Sequence, residues 1–229
     1  MFMNNYFCFQ PTGGGKTKIR SPNLVISKSN FSHNSEGGIF LGGDNAGIVE
    51  IQKTDVRDSP KNGLSTAFSH VNSLKLLNCQ FVRNKIGIKL SSFSGNVNIE
   101  NTKASNSTEN GLYVDTNGEK TIHFENGGVF HSNGYGLFLD GSYTKVKLSA
   151  TKIFFGWNKA SSVYSQSIYG CNSPCSSHTS FINCTFYANR GPVIDINVSP
   201  HSNPWQFDGN LFLNNTQGPL ILTTRYTNG

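Results

Sequence analysis

Asp115, Asp140 and Asp195 each stand four residues after a glycine that opens an apolar stretch, and they are the acids whose spacing could place carboxylates side by side. Paired carboxylates facing one cleft are what glycoside hydrolysis requires, one as acid and one as base or nucleophile. The residues between Asp115 and Asp140 amount to one structural repeat, so stacking would set their backbones about 4.8 Å apart. The competing reading is that an Asp here ends a strand and caps the following turn, as Ser91 and Gly42 do at the equivalent place. We take the cap as the expectation and keep Asp115 and Asp140 as the weak catalytic candidates. No two Asp or Glu lie within two residues of each other, so clustered acids that would hold Ca²⁺ are missing.

Other residues with chemical potential are scattered. Cys171 and Cys175 bracket Pro174 in the segment YGCNSPCSSH. They could close a small disulfide, remain free thiols, or contribute two metal ligands with His178 nearby; the disulfide is the reading that staples a loop. Cys79 and Cys184 share one position in a repeat and read as buried small hydrophobes, four repeats apart and beyond disulfide reach, at roughly 19 Å. His33 and His131 hold one turn-side position on distant repeats, one residue before a column of Asn, and no Ser-His-Asp or Cys-His group can be assembled. Gly13 to Thr17 (GGGKT) superficially resembles a phosphate loop, but the Gly-x-x-x-x-Gly-Lys spacing is missing and a flexible terminal segment is expected. Asn30, Asn106, Asn183, Asn197 and Asn214 open Asn-x-Ser/Thr sequons. Asn, Ser and Thr are abundant enough for that number to arise by chance. The residues call for no cofactor and no metal.

What must position these groups is a repeat. The stretches NCQFVRNKIGIKL (78–90) and NCTFYANRGPVIDI (183–196) share Asn-Cys-x-Phe, a later Asn and then alternating apolar residues. The Phe marks a column: Phe31, Val56, Phe81, Ala104, Phe130, Phe155, Phe186 and Phe212. Three residues later runs a second: Asn34, Ser59, Asn84, Ser107, Asn133, Asn158, Asn189 and Asn215. A glycine column follows (Gly38, Gly63, Gly87, Gly111, Gly136, Gly191, Gly218), and an apolar column precedes (Ile26, Ile51, Leu76, Ile99, Phe124, Leu148, Phe181, Phe207). A shared period of about 25 residues in four columns establishes an internal repeat.

Period-2 runs after the glycine (GIFL, GIKL, GLYV, GLFL, GPLIL) read as half-buried strands. The pairs Ile48/Ile51, Leu74/Leu76, Val97/Ile99, Ile122/Phe124 and Val146/Leu148 mark another, and a third surrounds the Phe. Three short strands per repeat exclude helical repeats and predict an all-β fold, a right-handed parallel β-helix of about eight coils. Phe is expected inward, Asn in the turn as an αL residue and as an amide ladder, and Gly at φ > 0 before the next strand. Residues 1–20 are expected to be a partial coil or flexible segment, and 21–229 the β-helix with a loop inserted around 166–179. That loop is where binding individuality is expected.

Composition fits. Charged residues make up 14% of the chain and Gly is plentiful, a profile of strands and turns rather than amphipathic helices. The net charge of +6 is spread out, with Lys16, Lys18 and Arg20 as its densest cluster and no nucleic-acid module in sight. No apolar run is long enough to span a membrane as a helix, and the N-terminus carries no convincing signal peptide. The protein is therefore expected either to stay inside the cell or to be part of a longer chain.

The stretches FINCTFYANRGPVIDI and WQFDGNLFLNNTQGPLIL complete the picture. Over residues 24 to 224 the chain resembles the parallel β-helix repeats of the bark beetle (Anakonda) family of animal junction proteins. The resemblance implies an extracellular or cell-surface location and a non-catalytic role as a scaffold or interaction segment in cell adhesion. It also implies a larger multidomain protein whose other modules and anchor are not in this chain, and a protein or glycan as ligand. Two alternatives stand beside it. One is a pectate-lyase-like protein that binds or degrades polysaccharide, although the Asn-Thr-Asp, Gly-His-Gly and Asp-Pro-His-Asp signatures of such enzymes do not occur. The other is a cytoplasmic β-helix adapter.

Overall fold

The computed structural model describes residues 23–43, 46–68, 71–91, 95–115, 119–140, 145–166, 178–198 and 205–224. The chain winds through three parallel sheets in rotation, each with eight strands among the described residues. We name them A, B and C in the order the chain visits them. In sheet A, Gly95–Glu100 lies between Val71–Leu77 and Glu119–Glu125; in sheet B, Lys103–Ser105 lies between Gln80–Val82 and Val129–His131; in sheet C, Asn110–Asp115 lies between Ile86–Ser91 and Tyr135–Asp140. This is the right-handed parallel β-helix that the repeat predicts, and the described residues include no helix.

The Phe column is the register of sheet B, each member paired with the next from Phe31 to Phe212. Phe130, Phe155 and Phe186, buried inside the solenoid, and the exposed Phe212 beyond them stack with centroids 5.5, 5.2 and 4.9 Å apart and planes within 20°. Such a stack adds roughly 0.5–1.5 kcal/mol per ring pair beyond area burial.

The Asn column is a buried ladder. Each Asn Oδ1 accepts the backbone N–H of its counterpart one coil earlier: Asn84 from Ser59, Asn133 from Ser107, Asn158 from Asn133 and Asn189 from Asn158. Each Nδ2 donates to the carbonyl of the preceding Phe-column residue, as from Asn84 to Val56, Asn133 to Ala104 and Asn158 to Phe130. These side chains satisfy backbone groups that the corner removes from the sheets.

Several assignments shift by a residue or two. The αL residue is the one before each ladder Asn: His33, Asp58, Arg83, Asn106, Ser132, Trp157, Ala188 and Asn214. A second αL column turns the chain from sheet A to B: Lys28, Lys53, Asn78, Asn101, Asn126, Lys152, Asn183 and, as glycine, Gly209. The glycines opening sheet C have no positive φ. They are required by close approach, since a Cβ on Gly63 would lie 2.6 Å from the Gly87 carbonyl oxygen and 2.8 Å from Asn84 Nδ2. Gly191 and Gly218 fall outside this column, because Leu137 pairs with Val163 and Ile194 with Leu220, which puts Ser162, Val193 and Pro219 in it. In the apolar column Ala150 replaces Leu148, pairing with Phe124 and Phe181. Val49 rather than Ile48 points inward, Val49 being 1% and Ile48 45% exposed.

Candidate functional site

Sheet C turns an unusual surface outward. In Asn110–Asp115 the burial pattern alternates, with Leu112 and Val114 inside and Tyr113 and Asp115 facing solvent. Register then stacks Lys89, Tyr113, Phe138, Tyr164 and Asp195 in one outer column, and Asp115, Asp140, Gln166 and Asn197 in the column beside it. Tyr113 stacks on Phe138 at 5.6 Å, Phe138 lies 4.9 Å from Tyr164, and Tyr135 packs against both Phe138 and Tyr164. Lys89 Nζ caps the row 5.2 Å above the Tyr113 ring.

Where Lys89 and Tyr113 meet the corner from sheet B lies a shallow cleft of ≈ 410 Å³. Lys61, Lys85, Glu109 and Asn110 contribute to its lining. Asn110 is 7% exposed, and its Oδ1 has no hydrogen-bond partner among the described residues. Ser59, Ser107 and Ser162 Oγ, in corners of the same solenoid, share that state, so it does not by itself mark a ligand.

The Asp pair is brought together as spacing predicts, with Asp115 opposite Asp140 in adjacent strands. Asp140 is engaged, its Oδ2 accepting the hydroxyl proton of Tyr113. Burial, reinforced by that carboxylate, raises the Tyr113 phenol well above its ordinary value. Asp115 is the acid that favours the charged form of Lys120, a lysine 0% exposed on the inward face of sheet A. Burial pulls the Lys120 ammonium down to about 8. The two carboxylates thus sit in a local charge network built from a buried cation and a phenol. Asp195 does not join them; it pairs with Tyr164 in the aromatic column, and burial raises its carboxyl.

Lys120 escaped the sequence reading. The signal was present, because Lys120, Ile122 and Phe124 alternate as an inward set.

The remaining candidates separate. Cys171 and Cys175 lie outside the described residues, as do most of the insertion and residues 1–20 with the GGGKT stretch. Gln166 still pairs with Asp140 and His178 with Lys147, so the insertion leaves from sheet C and re-enters sheet A in register. Cys79 and Cys184 are buried free thiols. They are also more than apolar filler, since each Sγ donates to carbonyls at its corner, those of Ile51 and Leu77 for Cys79 and of Ala150 and Ile182 for Cys184. Thr54 and Thr102 do the same work in the same column. His33 and His131 do not share a position: His33 is an αL corner residue, while His131 ends a sheet B strand opposite Gly156. Of the sequon residues, Asn30, Asn106, Asn183 and Asn214 are exposed, the last three in αL corners, and Asn197 pairs with Gln166 in sheet C. Among the described residues no three His, Cys, Asp or Glu gather as a metal site, and no helix is long and apolar enough to cross a membrane.

Comparison with known proteins rests on one match. No curated protein and no solved structure matches the chain. The family model described as a right handed beta helix region matches residues 15–167, more than half of the sequence. With three continuous parallel sheets and the stacked columns that join them, the chain belongs to the right-handed β-helix family.

Proposed function

We propose that the chain is a non-catalytic interaction rod that holds glycan chains along the outer face of sheet C. The setting we propose is the extracellular adhesion or junction protein that the bark beetle resemblance implies. The carrying observation is the pair of outer columns in register, aromatic beside carboxylate and amide, repeated on adjacent coils. A sugar ring has an apolar C–H face and a rim of hydroxyls, so it suits a site where rings and a few polar groups alternate. The columns repeat at the coil rise of about 4.8 Å, close to the advance per residue of an extended pyranose chain.

The test is affinity electrophoresis against a panel of neutral and acidic polysaccharides. Retardation by at least one polymer, weakened in Phe138→Ala and Tyr164→Ala, is the expected result. Binding that ignores both substitutions, or no retardation by any polymer, removes the reading. The register of Asp115 with Asp140 keeps one rival specific. Depolymerisation of a polysaccharide that disappears in Asp115→Asn or Asp140→Asn would make the protein an enzyme.

A further inference from the structure

The corner between sheets B and C carries a ridge of cations, and its two ends differ. On the early coils each cation has an acid: Lys61 pairs with Glu36, Arg83 with Asp58 at 2.6 Å, and Lys85 with Glu109 at 3.3 Å. Further along, Lys159 and Arg190 follow the ladder residues Asn158 and Asn189 directly, so they occupy one position on adjacent coils. Both are exposed, and neither has an ion pair among the described residues. Two like charges are thus stacked where the fold elsewhere supplies compensation.

Beside them stands Trp157. It is 50% exposed and occupies the αL position of its corner at φ 52°, a conformation that bulky side chains seldom adopt. Its neighbours in the column are Ser132 and Ala188, too small to cover an indole. The ring is nevertheless held in place. Tyr187 meets it at 5.2 Å and 75°, Phe154 at 5.6 Å and 52°, and His131 at 6.1 Å and 78°. Gly156 makes room for this packing, since a Cβ there would lie 2.4 Å from a Phe154 ring carbon. A propped, exposed indole next to two uncompensated cations is complementary to a ligand that is both ring-shaped and anionic.

We propose that Trp157, Lys159 and Arg190 form a site for one acidic unit of a glycan chain. The pyranose lies on the indole, and its carboxylate or sulfate is bound by the two cations. This names a ligand class for the glycan-binding reading, and it stands on later coils of that corner and on different residues from the sheet C columns and their cleft.

Titration of Trp157 fluorescence in a Trp205→Phe background, the chain having two Trp, reads the site directly. Heparin oligosaccharide supplies sulfate, oligogalacturonate supplies carboxylate, maltohexaose is the neutral control and an oligo-dT the nucleic-acid control. The expected result is a saturable emission change with one or both acidic sugars and little with the other two. Calorimetry on the Trp205-containing chain repeats the comparison. There Lys159→Ala with Arg190→Ala should weaken acidic-sugar binding about tenfold, ~1.4 kcal/mol. Trp157→Asn should do likewise while keeping the fold, because Asn accepts αL geometry. Unchanged binding in either variant, absence of acidic-sugar binding, or oligo-dT binding as tightly as the sugars would overturn the proposal. Acidic-sugar binding lost only in Phe138→Ala and Tyr164→Ala would also overturn it, leaving the sheet C reading in place.

Discussion

Replacing Asn158 by Ala probes the ladder at a fully buried rung in its middle. Asn158 is 0% exposed and makes three side-chain bonds: Oδ1 accepts Asn133 N–H at 3.2 Å, and Nδ2 donates to Phe130 O at 3.2 Å and to Asn189 Oδ1 at 3.0 Å. Truncation leaves two buried backbone groups, the Asn133 N–H and the Phe130 C=O, without those partners. Each such loss costs about 1–3 kcal/mol, so the expected destabilisation is roughly 2–6 kcal/mol. At about 2–4 °C per kcal/mol for a chain of this size, the melting temperature should fall by about 4–24 °C. Asn158→Leu restores most of the volume without the bonds and should be nearly as damaging. Urea unfolding of both variants supplies the energies, and hydrogen exchange should show faster exchange at the Asn133 amide. A loss below about 1 kcal/mol in Asn158→Ala, or full rescue by Leu, would refute the ladder as a source of stability and leave it as mere packing.

Gly63→Ala should destabilise by about 1–3 kcal/mol, because its Cβ meets the Gly87 backbone oxygen and that coil must move. Gly218→Ala, with nothing within 4 Å, should be neutral or stabilise by up to about 1 kcal/mol in the same thermal assay. Lys120 gives a pH signature: burial holds its ammonium near 8 in the folded chain, against 10.5 ordinarily. Between those values the unfolded chain binds more protons, so raising the pH from about 8 to about 10 should strengthen folding through this group. Lys120→Met should remove that slope and be more stable at pH 7 by about 2 kcal/mol, as urea unfolding at the two pH values would show. An unchanged slope would mean that Lys120 is not the titrating group.

The columns of the repeat were legible in the sequence because a parallel β-helix stacks like on like. Phe81, Phe130 and Phe155 stand where a 25-residue period puts them, and the same period places Asp115 opposite Asp140. Glycine does not mark position in this repeat. The register of sheet C runs through Val193 and not Gly191, since strand pairing follows the inward apolar set and not the turn residue. Leu148 failed for the same reason: it lies seven residues before Phe155, whereas Ile26, Ile51, Leu76 and Ile99 lie five before theirs, as Ala150 does.

In the stretch NCTFYANRGPVIDI the sequence by itself determined the fold, since each residue type recurs at a fixed interval and only stacked coils reward that. It also determined that Phe186 and Cys184 would be inside. Only the tertiary structure decided which job each residue does. Asn183 bends the chain in αL on the outside while Asn189 bonds the preceding coil on the inside, and the same amide serves both because φ and neighbours differ. The outer surface was decided there as well. Tyr113, Phe138 and Tyr164, or Trp157, Lys159 and Arg190, become neighbours only when coils stack, because contact along the rod joins residues a whole coil apart in the chain.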